Sequence, residues 1–98
     1  MGTQEEREAL EAGLREAIEA IKEGRLDEAR RAVGELSSNL NVDYGGEIAF
    51  NTLRIYMFCS RVIVEAMGGT PRPGDLAYAL GLLERQLKIV TERQRREE

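Results

Sequence analysis

The sequence predicts an all-α domain, an antiparallel up-down four-helix bundle, on three observations. Four segments repeat apolar residues three and four apart. Breaks rich in Gly, Pro and Asn separate them, and no segment alternates apolar and polar residues as a half-buried strand would. Helices are expected at about 3–23, 26–40, 47–67 and 75–92, all in one domain, and connections this short place consecutive helices antiparallel.

Thr3 and Glu6 have the spacing of a capping box, which starts the first helix. Leu10, Leu14, Ala17, Ile18 and Ile21 form its apolar face, while Glu5, Arg7, Glu8, Glu11, Arg15, Glu16 and Glu19 fill the other side. Gly24 is the expected left-handed C-cap. Gly13 sits inside the helix, where glycine costs about 1 kcal/mol relative to alanine, and is expected to mark a close helix approach.

The second helix carries a narrower seam, Leu26, Ala29, Val33, Leu36 and Leu40, and is expected to pack on one side only. Turn-forming residues from Asn39 to Gly46 break the chain before Glu47 to Met67, the stretch richest in large apolar residues. At about 100° per residue, Asn51, Arg54, Arg61 and Glu65 gather on one narrow polar strip. The remaining arc, with Ile48, Cys59 and Val62 toward the core, is roughly 240° wide, so this helix is expected to be surrounded. Gly68 to Gly74, with Pro71 and Pro73, form the next break. Asp75 is the expected cap of the last helix, whose main stripe is Leu76, Leu80, Leu83, Leu87 and Val90, with Tyr78, Leu82 and Ile89 lying off it. Beyond Thr91 the chain has no apolar residue, and frays or continues as solvated helix.

Composition excludes several classes of function. A net charge of −4 and a pI near 5.0 do not suit a general grip on nucleic acid, which depends on Lys and Arg neutralising phosphates. No apolar window is long enough to span a membrane and no signal peptide is expected, so the reading is a cytoplasmic protein without membrane insertion. The single cysteine, Cys59, is read as a small buried hydrophobe. With no histidine, the usual zinc sets and histidine-based triads cannot be assembled, and neither a catalytic residue nor a cofactor is expected. Arg54 and Arg61 could line an anion pocket of the kind found in small helical enzymes such as chorismate mutases, but their place on the polar strip points to solvent.

Glu35, Leu36, Leu40, Gly45, Gly46, Glu47, Ile48, Ala49, Asn51, Tyr56, Met57 and Arg61 resemble, in order and spacing, a signature of the flagellar secretion chaperone family FliS. The resemblance is strong in the middle of the chain and weak toward both ends. The first-helix Leu-Tyr-Asp-Gly-Ala signature of that family has no counterpart here, and there is no tryptophan. Membership would imply a bundle that binds the C-terminal region of flagellin in the cytoplasm, prevents premature polymerisation and delivers it to the flagellar export apparatus. A co-chaperone acting on another flagellar protein, or a homodimeric interaction module that does not bind flagellin, is the alternative.

The residues themselves raise a related question. A bundle helix needs only a stripe toward the core, yet Phe50, Met57 and Phe58 lie at or beyond the edge of that stripe, as do Tyr78, Leu82 and Ile89 on the last helix. A client helix in a groove, loop cover or a homodimer interface would each account for this surplus. The candidate partner-binding set is Phe50, Ile55, Tyr56, Met57, Phe58, Arg61, Tyr78, Leu82 and Ile89.

Overall fold

Each periodic segment forms a helix: α1 (Gln4–Lys22), α2 (Leu26–Ser38), α3 (Val42–Met67) and α4 (Asp75–Glu97). A computed structural model describes residues 4–40 and 42–97, with side-chain surroundings for 4–40 and 46–92. Thr3 of the expected capping box lies outside the described residues.

Contacts between helices close a ring, from α1 to α2, α2 to α3, α3 to α4 and α4 back to α1. Among the described residues no Cα atoms of α1 and α3 come within 8 Å of each other, nor do those of α2 and α4, so these pairs face each other diagonally across the core. The fold is therefore a four-helix bundle in which each helix has two neighbours. Its extents are 42 × 25 × 19 Å.

The core joins Leu14, Ala17, Ile18, Ala20 and Ile21 of α1 to Ala29, Ala32, Val33 and Leu36 of α2, and to Tyr56, Cys59, Val62 and Ile63 of α3 with Ala79 and Leu83 of α4. Among the described residues no polar or charged side chain is buried in it. α1 and α2 approach closely at Gly13, where an added Cβ would lie 3.1 Å from Leu36 Cδ2. A methyl group there would crowd a buried leucine, which would have to shift by a few tenths of an ångström.

Local sequence explains the helix ends. Gly24 adopts φ +77, the Arg25 amide donates to the Ala20 carbonyl at 2.8 Å, and the Gly24 amide donates to Ile21 at 3.1 Å. That pair of bonds is a Schellman cap, and it satisfies carbonyls that the last turn leaves unpaired. Gly69 ends α3 in the same way, with Thr70 donating to Glu65 at 3.0 Å and Gly69 to Ala66 at 3.2 Å.

Three expectations need correction. The segment before the central helix is not simply a break: residues 42–45 are helical and are set off from the rest of α3 by Gly46, at φ 59 and ψ −137. Helical geometry cannot pass through that conformation, so the long straight part of α3 still begins at Glu47. Asp75 lies inside the first turn of α4, where its charge complements the helix dipole, and does not precede the helix as a cap. Finally, α3 is not surrounded. α3 packs side by side with α2 and α4 and faces α1 only across the core, which leaves its outer face open, and Ile48 is 69% exposed where the sequence predicts a core position.

Candidate partner-binding surface

The surplus apolar residues of α3 divide into two surfaces. Phe50, Met57 and Val64 recur every seven residues and are all exposed, at 52, 60 and 48%. Seven residues close to within about 20° of two full turns, so the three form one stripe pointing away from the core. Phe58 lies about 100° around the helix from Met57, on the side facing α4.

There the Phe58 ring meets the Tyr78 ring edge to face, with centroids 5.7 Å apart and planes at 87°. The Arg61 guanidinium sits 5.4 Å from the Phe58 centroid and pairs with Glu65 at 3.7 Å. Asn51, Arg54, Ile55, Phe58, Tyr78 and Leu82 line an open groove of about 470 Å³ between α3 and α4. Ile55, Phe58 and Leu82 are half-buried against the core and form the floor. Tyr78, 63% exposed, stands at the rim with Arg54.

The expected set is thus only partly assembled. Ile55, Phe58, Tyr78 and Leu82 come together in the groove, with Arg61 stacked beside it. Phe50 and Met57 belong to the outward stripe, across the polar strip of Arg54 and Arg61. Ile89, 39% exposed, shares the groove side of α4 with Leu82 seven residues earlier, but does not line the groove. Tyr56 is a correction: it is 2% exposed and belongs to the core, so no partner reaches it without unfolding. Asn51 and Arg54 line the groove although the sequence places them on a solvated polar strip. Their position, Asn51 seven and Arg54 four residues before Phe58, on the side facing α4, is the sequence signal that they flank the same groove.

Beneath the groove, Cys59 Sγ donates to the Ala79 carbonyl at 3.7 Å and links α3 to α4. Burial pushes the Cys59 thiol up to about 11. Tyr56 is pushed up to about 12, first by burial and then by the neighbouring Cys59. Both stay protonated at neutral pH, so neither supplies a thiolate nor a phenolate.

A second depression, of about 540 Å³, lies between α1 and α4. Its cations Arg15, Lys22 and Lys88 are matched by Glu19, Glu84 and Glu92, and Lys22 bridges to Glu84 at 3.5 Å. Among the described residues no cluster of three or more His, Cys, Asp or Glu is placed to hold a metal ion, and no helix is long and apolar enough to cross a membrane.

No family model matches the chain, nor does any curated protein or solved structure.

Proposed function

We propose that this protein is a non-enzymatic export chaperone of the FliS type, acting in the bacterial cytoplasm. Its client is the C-terminal segment of flagellin or of a related flagellar export substrate, held as an amphipathic helix in the α3–α4 groove. The observation that carries the reading is the groove itself, an aromatic-edged apolar channel between two helices left open on the bundle surface. This is the shape that helix-in-groove recognition uses. The signature running from Glu35 to Arg61 supports the choice of client, and it rests on those residues alone.

No chemistry is needed for such a role. Covering the groove withdraws apolar area from water, at about 25 cal/mol per Å², and keeps the client's own apolar face from polymerising. The test is calorimetry with a flagellin C-terminal peptide. Phe58→Asp and Leu82→Asp are expected to abolish binding while the helical circular dichroism signal persists. Unchanged binding by both variants removes the groove from consideration.

The exposed stripe of Phe50, Met57 and Val64 favours a second reading, a homodimeric helical module that pairs through the outer face of α3. Light scattering separates the two readings. A stable dimer that ignores flagellin fragments, and that Met57→Asp returns to monomer, supports the second.

A further inference from the structure

We infer that the α3–α4 groove is built for an amphipathic helix whose apolar stripe is bordered by carboxylate side chains, one of which pairs with Arg54. The inference rests on the groove reading above and adds the charge of the occupant.

Arg54 lines the groove and is exposed, and among the described residues it has no acidic partner. Arg61, one helix turn past Phe58, is already engaged by Glu65 and by the Phe58 ring. The groove lining of Asn51, Arg54, Ile55, Phe58, Tyr78 and Leu82 contains a cation and no anion. That runs against the chain as a whole, which carries 18 acidic and 14 basic residues. It also differs from the α1–α4 depression, where three cations face three carboxylates. One groove is electrically balanced within the protein, and the other is left for something else to balance.

A helix laid over Phe58 and Leu82 would take Arg54 partly out of water. Covering a charge without a partner is unfavourable, and a carboxylate at the border of the incoming stripe removes that penalty. The Asn51 amide and the Tyr78 hydroxyl are further donors at the same rim. A second copy of the same face is a poor occupant, because two-fold pairing would cover two Arg54 side chains and the groove lining brings no carboxylate to either.

Two synthetic helical peptides of about 16 residues, long enough to span the groove, test this. Both carry the same Leu and Phe stripe, one with Glu and the other with Lys at every border position. Because the protein is net negative, long-range attraction favours the Lys peptide, so a preference for Glu has to arise locally. In low salt the intact protein is expected to bind the Glu peptide about fivefold more tightly, the size of a good exposed ion pair. Arg54→Gln erases the preference and Arg54→Glu reverses it, while the apolar contribution, read as loss of both peptides in Tyr78→Asp, is common to the pair. Equal binding of the two peptides, or a Glu preference that survives Arg54→Gln, overturns the carboxylate inference and leaves the groove reading standing. Failure of both peptides to bind, or self-association at this face abolished by Tyr78→Asp, overturns both.

Discussion

The Tyr78 ring stands at 87° to the Phe58 ring, 5.7 Å between centroids, and so ties α4 to α3 at the open edge of the bundle. Edge-to-face pairs gain from the positive ring edge meeting the negative ring face, beyond their buried area. One ring is half-buried and the other mostly exposed, so the pair links the core to the groove rim.

A double-mutant cycle on these two residues should therefore show coupling. Phe58→Ala is expected to lower stability by about 2 kcal/mol and Tyr78→Ala by about 1 kcal/mol, with an interaction energy of about 1 kcal/mol in urea unfolding. Strictly additive losses would mean that the contact contributes nothing to holding α3 against α4.

Glycines inside the helices should respond differently to alanine. Gly34 and Gly81 have open space where a Cβ would go, so Gly34→Ala and Gly81→Ala are expected to stabilise by roughly 0.5–1 kcal/mol each. At Gly13 the same gain is offset by the 3.1 Å approach to Leu36, and Gly13→Ala should be close to neutral. Gly13→Leu is expected to lose about 2 kcal/mol by overpacking. A stable Gly13→Leu variant, seen by thermal unfolding, would show that α1 and α2 can separate freely there.

The break in α3 depends on a conformation only glycine adopts readily. Gly46 has φ 59 and ψ −137 with nothing nearby to clash, so the loss in Gly46→Ala is pure backbone strain, about 1–3 kcal/mol. Gly24, with φ 77 at the C-cap of α1, should lose about 1 kcal/mol in Gly24→Ala. Chemical denaturation that leaves Gly46→Ala unaffected would indicate that residues 42–45 realign with α3 at no penalty.

Alkaline pH should weaken the fold. Cys59 and Tyr56 hold their protons to about 11 and about 12 when folded, against ordinary values of 9.0 and 10.0. As pH rises the unfolded chain releases these protons first, so it binds fewer than the native state and stability falls. The contribution is fully present below pH about 9 and is lost as pH rises through the two folded values. Urea midpoints that stay level from pH 8 to about 11 would count against burial of these groups. The same burial predicts that Cys59 reacts with a thiol reagent at pH 8 only on the timescale of unfolding, whereas the chain in urea reacts at once.

Helix number, the Gly24 cap, the Gly13 approach and the apolar seams of α1 and α2 were legible from the sequence. They depend on interactions within a few residues, or on a periodicity that one helix displays by itself. The fate of α3 was not. Periodicity assigns each residue an angle around the helix axis, but it does not say which angles a neighbour covers. Ile48 and Cys59 lie on nearly the same side of α3, yet one is exposed and the other buried, because cover also varies along the helix. Tyr56 and Met57 are adjacent in a signature that does not distinguish them, yet one faces the core and the other faces water. The sequence by itself determined four helices and a surplus of apolar surface. Only the tertiary structure, by placing α1 diagonally from α3, decided that the surplus forms an aromatic groove beside α4 and a separate stripe on the outer face.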